Sequence, residues 1–147
     1  MKRYNIRCYG LIIHEGKLLI SDEIIKGRRM TKLPGGGHEW GEGLDDCIRR
    51  ECREEISQDP VDVKHFYTTG FFVRSAFRDT DQIISIYYEV QLPDPAGVAV
   101  VDQPFGFRPG EEVDDAFVFR WVPLEEVNEE MFTFPIDKHV VKMLRKK

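Results

Sequence analysis

The stretch from Leu33 to Ile56 constrains this chain more than any other. It opens on Pro34-Gly35-Gly36-Gly37, a run that no helix interior accepts. A helical pattern then covers residues 44–57, and Gln58-Asp59-Pro60 stops it. Place that helix on a wheel of about 100° per residue with Glu51 at zero. Glu54 then falls at about −60° and Glu55 at about +40°. Leu44, Cys47 and Ile48 fall at about +20°, −40° and +60°. Three carboxylates and three apolar side chains therefore share one face.

A solvated surface helix sets its glutamates opposite its apolar stripe. Here the first half of one face is apolar and the second half acidic. The helix should bury its beginning and present three acids where it emerges over a sheet. Like charges gathered this way call for a cation between them, and a hard divalent ion such as Mg²⁺ or Mn²⁺ suits oxygen donors. On the helix alone, a solvated face laced with i,i+4 ion pairs explains the charge run as well. The glycines shift the balance. Gly35, Gly36 and Gly37 let the backbone approach a ligand closely, with N–H and C=O groups able to hold phosphate oxygens or complete a metal shell.

The rest of the chain reads as strands around this helix. Residues 4–13 and 17–22 are apolar and β-rich, and His14-Glu15-Gly16 between them suggests a β-hairpin. Ile24 to Arg29 reads as a charged loop and Met30 to Leu33 as a short strand. Val61 to Ser75 is strand-like with a break at Gly70, residues 77–81 form a turn, and Ile83 to Leu92 is the clearest strand. Residues 93–115 are long for a connection and rich in proline, so they are either functional or mobile. Ala116 to Val122 is a further strand, Glu125 to Glu130 begins a helix, and Pro135 to Lys147 forms a C-terminal one. This order predicts one mixed α/β sandwich domain over residues 1–147.

Composition narrows the function classes. Lys and Arg total 21 against 26 Asp and Glu, a net charge of −5, which argues against coating a nucleic-acid polymer but not against a nucleotide substrate. No apolar run approaches the roughly 18 residues of a membrane span, and no signal peptide is read at the start. Cys8, Cys47 and Cys52 lack metal-finger spacing. Cys47 and Cys52 point about 140° apart on the helix, which disfavours a disulfide and suits a reducing cytoplasm.

The spacing of Gly36, Glu42, Arg50, Glu51, Glu54 and Glu55 resembles the Nudix hydrolase family. Its box runs here from Gly36 to Gln58: a glycine, five residues, Glu42, seven residues, Arg50-Glu51, Cys52 in an aliphatic place, then Glu54-Glu55. Pro34-Gly35, Glu39, Gly41 and the Trp121 to Glu126 stretch also match the family's form. Ser57 stands where the family has glycine and Gln58 where it has an aliphatic residue. Glycine there would take a left-handed turn, which serine can adopt at a cost of about 1 kcal/mol.

The resemblance implies metal-dependent hydrolysis of a nucleoside diphosphate linked to another moiety, with water attacking a phosphorus of the pyrophosphate. It implies Mg²⁺, with Mn²⁺ as a substitute, held by Glu51, Glu54, Glu55 and the Gly35 carbonyl. Glu51 serves as base or ligand, Arg50 orients the carboxylates, and Glu42 supports Arg50. Gly35, Gly36 and Gly37 would bind substrate. His38 is read as a bystander. Glu111, Glu112, Asp114 and Asp115 are candidates for a later acid, Phe105 and Phe107 for stacking, and Arg28, Arg29, Arg74 and Arg78 for phosphate contacts. The competing reading is a catalytically silent sensor or scaffold, which typically loses box glutamates; this chain keeps them. The expected partner is a small nucleotide-type molecule, with no membrane, and the 93–115 segment is compatible with a homodimer.

Overall fold

The computed structural model describes residues 1–145. They form two compact units, one of residues 1–12 and 34–95, the other of residues 13–33 and 96–145. Together they carry eight strands and two α-helices in a mixed α+β fold.

The first unit is built on a mixed sheet. Strand β1 (Arg3–Leu11) lies between β5 (Gly35–Gly37), antiparallel to it, and β7 (Asp81–Gln91), parallel to it. Strand β6 (Asp62–Thr68) closes the far edge against β7 with a bulge between His65 and Tyr67. Helix α1 (Leu44–Ile56) packs on β1 and β5. A Cβ at Gly10 would meet Ile48 Cδ1 of the helix at an ordinary contact distance of 3.5 Å and Val90 Cγ2 of β7 at a tighter 3.1 Å.

The second unit is antiparallel throughout. Strand β3 (Lys17–Ile25) is central, with β8 (Phe117–Pro123) on one side and β2 (Ile13–His14) and β4 (Arg28–Lys32) on the other. Helix α2 spans Pro135–Arg145; the expected helix residues Lys146 and Lys147 lie outside the described residues. No helix among the described residues is long and apolar enough to cross a membrane.

Three expectations are corrected. The strands flanking His14-Glu15-Gly16 are not partners over their length, because only Ile13–His14 pairs with Lys17–Leu18. The turn itself is a two-residue one, Glu15 and Gly16 both having positive φ, as a tight hairpin needs. β1 is buried on both faces from Cys8 to Leu11 and takes neighbours from distant sequence on both edges. The second correction concerns residues 24–29, which are not a loop. Lys26 (φ 50°) and Gly27 (φ 77°) make another two-residue turn, so β3 runs straight into β4. The third is residues 125–130, which form two 3₁₀ turns, Leu124–Glu126 and Glu129–Met131. The Asn128 side chain accepts the Glu130 N–H at 3.0 Å, starting a new turn where an α-helix would have continued.

The long 93–115 segment holds one 3₁₀ turn, Pro95–Gly97, and is otherwise irregular. From Ala96 on it is pinned within the second unit. Val101 N donates to Phe119 O at 2.8 Å, Phe105 N to Asp22 Oδ2 at 3.1 Å, and Gly27 N to Asp114 Oδ1 at 2.7 Å.

Candidate active site

The site is assembled inside the first unit, where β5 leads through residues 38–43 into α1. The glycine run is a short strand against β1 rather than a bare loop, with Gly36 opposite Cys8. Gly35 and Gly36 have separate necessities. At Gly35, φ is +143° and a Cβ would fall 2.1 Å from Cys8 O, so the β1 backbone excludes any side chain. At Gly36 the space is filled by the Glu51 carboxylate, 2.7 to 2.9 Å from where a Cβ would stand. Gly36 therefore lets an acid from the helix lie directly on the strand.

Gly43 caps α1, and Asp46 reaches back to accept the Gly43 N–H at 3.0 Å. The helix ends on Ser57 in the left-handed conformation, φ 65° and ψ 29°, as the glycine position of the box requires. The second departure also has a use. The Gln58 amide donates to Asp94 O at 2.7 Å and accepts Asp94 N–H at 3.0 Å, tying the helix exit to the end of the unit.

Arg50 is the hub. Its Nε and Nη2 donate to the two oxygens of Glu42, both at 2.9 Å, a bidentate fork. Nη2 also donates to Gly37 O at 2.8 Å, and Nε lies 3.2 Å from Glu39. Nη1 donates to Glu51 Oε1 at 3.0 Å and to Glu54 Oε2 at 3.1 Å. The Arg50 hydrogen bonds hold the Glu42 carboxyl at a pKa of about 2, and the bond from Glu42 raises Arg50 in turn. His38 is a tie within the turn, its Nε2 donating to Glu42 O at 2.6 Å.

Glu51 is buried, Glu55 half-buried and Glu54 exposed. Solvent does not reach Oε2 of Glu55. Cys47 and Ile48 are fully buried as the wheel requires, but Leu44 is 38% exposed. It sits in the first turn, at the rim of the helix contact, and the burial expected of it is corrected here. Glu39, which lies ahead of the helix and off its acidic face, joins the cluster through Arg50.

The other candidates belong to the second unit or are engaged in local contacts. Among the late acids, Glu112 pairs with Arg29 and Asp114 accepts Gly27 N–H, both within the second unit. Phe105 lies under the Arg29 guanidinium at 4.9 Å, and Phe107 N donates to Phe105 O. Glu111 N donates to Arg108 O and Asp115 N to Ile24 O, and Arg28 stands in β4. In the first unit, Arg74 lies over Phe72 and Arg78 approaches Asp81 at 3.8 Å. All three cysteines are free thiols and buried. Burial pushes Cys52 up to about 12, and the contact with Cys8 raises Cys47.

The sequence matches the model of the NUDIX domain across residues 1–144. The chain belongs to the Nudix family. No curated protein matches it. Solved Nudix structures superpose on nearly all of it at low identity. A NUDIX hydrolase from Nitrosomonas europaea is 18% identical, with a TM-score of 0.69, covering 97% of this chain and 88% of its own. A MutT NUDIX hydrolase from Burkholderia pseudomallei is 15% identical, with a TM-score of 0.67, covering 95% and 96%. An ADP compounds hydrolase is 14% identical, with a TM-score of 0.64, covering 97% and 71%. These likenesses establish the fold, and the family makes the chain a Nudix-type hydrolase.

Nudix hydrolases use divalent cations, and the donors here suit one. The cluster offers carboxylate oxygens, while the helix thiols Cys47 and Cys52 are buried with raised pKa values, which favours a hard ion. As the side chains stand, no three acidic, histidine or cysteine groups among the described residues converge on one point. A single guanidinium nitrogen instead bridges Glu51 and Glu54, marking the place between them as one that attracts positive charge.

Proposed function

We propose that this Nudix hydrolase cleaves a nucleoside diphosphate linked to another moiety. Water adds to one phosphorus of the pyrophosphate, one phosphoanhydride bond breaks, and the departing phosphate carries off the bond's oxygen. The observation that supports this best is the trio Glu51, Glu54 and Glu55 on one face of α1, with Arg50 Nη1 shared between two of them.

Glu51, Glu54 and Glu55 would hold Mg²⁺, with the Gly35 carbonyl as a further donor. When bound, the ion supplies charge neutralisation between an acidic site and a pyrophosphate. Arg50 keeps the helix carboxylates aimed while Glu42 keeps Arg50 in place. Glu51, which lies against Gly36, would accept the proton of the attacking water or serve as a ligand. Gly36 and Gly37 would face the phosphates. We take residues 1–147 as one Nudix domain, because a single family match runs through both units. The three thiols, with no disulfide among the described residues, favour a reducing cytoplasm.

The test is incubation with Mg²⁺ and a panel of nucleoside triphosphates, nucleotide sugars, ADP-ribose and dinucleoside polyphosphates, with products weighed by mass spectrometry. Turnover lost in the Glu54→Gln/Glu55→Gln variant supports the assignment. Turnover unchanged in that variant overturns the site. Silence on every substrate with Mg²⁺ bound favours a sensor.

A further inference from the structure

At the N-terminal end of β1 the first unit carries a cleft of about 270 Å³, lined by Lys2, Arg3, Tyr4, Phe72, Arg74 and Gln82 with residues 79–81. Nothing in the box reaches it. Its composition is unusual for an idle surface. Tyr4 is 70% exposed and Phe72 63% exposed, and they come from separate segments onto one cleft. Two exposed rings on one cleft offer faces on which a flat ligand ring can stack. Three cationic side chains, Lys2, Arg3 and Arg74, stand among them beside two acids, Asp79 and Asp81.

Arg3 is fixed in place. Asp81, 2% exposed, accepts Arg3 Nε at 3.3 Å and Nη2 at 3.1 Å, and this pairing lowers the Asp81 carboxyl. A guanidinium has five N–H donors, so three of Arg3 remain for a ligand on its half-exposed side. Arg74 lies over the Phe72 ring at 5.8 Å, and its backbone bridges Gln82 at the start of β7. A flat ring can stack beside this Arg–Phe pair while an anion is held by Arg3, Arg74 and Lys2.

Strand alternation gives the direction. Tyr4 pairs with Gln82 in register, so both side chains leave the sheet on one face. Cys8, four residues on, leaves the same face and donates to Leu44 O of α1. Cys8 also pairs with Gly36, the position that meets Glu51. Arg3 and its in-register partner Asp81 leave the opposite face, so the cleft lies at the end of the sheet and takes residues from both faces, about 13 Å along β1 from the Gly36 level.

We propose that this cleft is a binding site for a nucleoside phosphate, its base on Phe72 and Tyr4 and its phosphate on Arg3, Arg74 and Lys2. The nucleotide is either a free molecule or the far half of a dinucleotide substrate, and the second source rests on the hydrolase reading above.

Calorimetry on the full chain carrying Glu54→Gln/Glu55→Gln, without divalent ions, tests the site apart from hydrolysis. The probes are AMP, GMP, CMP and UMP in separate titrations, with inorganic phosphate as the comparison. At least one nucleotide should bind tenfold tighter than phosphate. Arg74→Glu should weaken it tenfold or more, and Phe72→Ser several-fold; both side chains face solvent, so the fold tolerates them. No nucleotide preferred over phosphate, or affinity unmoved in both variants, overturns the proposal. A second arm compares Arg74→Glu with wild type under Mg²⁺. A KM raised for dinucleoside polyphosphates and unchanged for nucleoside triphosphates assigns the far half of the substrate. KM unchanged for all, with calorimetric binding intact, assigns a free nucleotide. A wild type that turns nothing over defeats the hydrolase reading, while the calorimetric titrations still decide whether the cleft binds a nucleotide.

Discussion

The Glu51 carboxylate lies where a side chain on Gly36 would have to stand: a Cβ there would fall 2.7 Å from Glu51 Oε1 and 2.9 Å from its Cδ. What must move is the end of a flexible side chain, not backbone. Gly36→Ala should therefore fold, with Tm within a few degrees of wild type, while activity drops tenfold or more because the acid is displaced. Gly35→Ala should behave oppositely. Its Cβ meets the Cys8 carbonyl at 2.1 Å and its φ is +143°, so soluble folded protein should be lost. Thermal melts beside turnover for the two variants check the contrast, and equal stabilities would refute it.

The Arg50–Glu42 fork predicts an acid limb of stability. The folded Glu42 carboxyl has a pKa of about 2 against an ordinary 4.5, so between those values the unfolded chain binds the proton more readily. Its contribution is complete above about pH 4.5 and is lost as pH falls toward 2. The Tm difference between wild type and Glu42→Gln should be largest near pH 5 to 6 and shrink steadily below pH 4.5. A difference constant down to pH 2.5 would contradict the sign.

How much of this was legible depends on the range of each interaction. The acids on α1 and the Arg50–Glu42 spacing are properties of one helix and its approach, and periodicity reaches them. Ser57 as a left-handed exit follows from the same local logic. The turns at Glu15-Gly16 and Lys26-Gly27 are local too, but the partner of β1 is not. That strand pairs with Gly35–Gly37 and Asp81–Gln91, choices set by burial on both faces and invisible to a reading of neighbours. Arg74 is among the phosphate candidates, yet its meeting with Tyr4 needs the β1–β7 register and the Arg74–Gln82 bridge. Leu44 departs from its expected burial because a wheel gives direction, not depth, and the first turn overhangs its support.

Asp22 and Arg120 form a buried pair in the second unit, with Nε to Oδ2 at 2.7 Å. The same carboxylate accepts Thr31 Oγ1 at 2.8 Å and the Phe105 N–H, so it anchors the long segment as well as the sheet. Asp22→Ala leaves a buried guanidinium uncompensated and should cost about 3–5 kcal/mol. That corresponds to a Tm lower by about 6 °C or more. Adding Arg120→Met should recover part of the loss, since an apolar replacement of both partners removes the stranded charge. Limited proteolysis should cut between residues 98 and 112 faster in Asp22→Ala than in wild type. An unchanged cleavage pattern would mean that the segment is held by its other contacts alone.

The last prediction concerns the departure from the box at the helix exit. Ser57 holds φ 65°, a conformation that costs an L-residue roughly 1 kcal/mol and a glycine almost nothing. Its side chain faces solvent, so removing it forfeits no packing. Part of the gain is returned because glycine loosens the unfolded chain. Ser57→Gly should still stabilise by about 0.5 kcal/mol, a Tm rise of about 1–2 °C. Ser57→Ala should give no rise, since alanine meets the same backbone penalty. Turnover should be unaffected in both, because the change stays within the exit turn and leaves Glu54 and Glu55 on their helix. A Tm gain in the alanine variant equal to that in the glycine variant would show that the serine side chain, not the left-handed backbone, carries the cost.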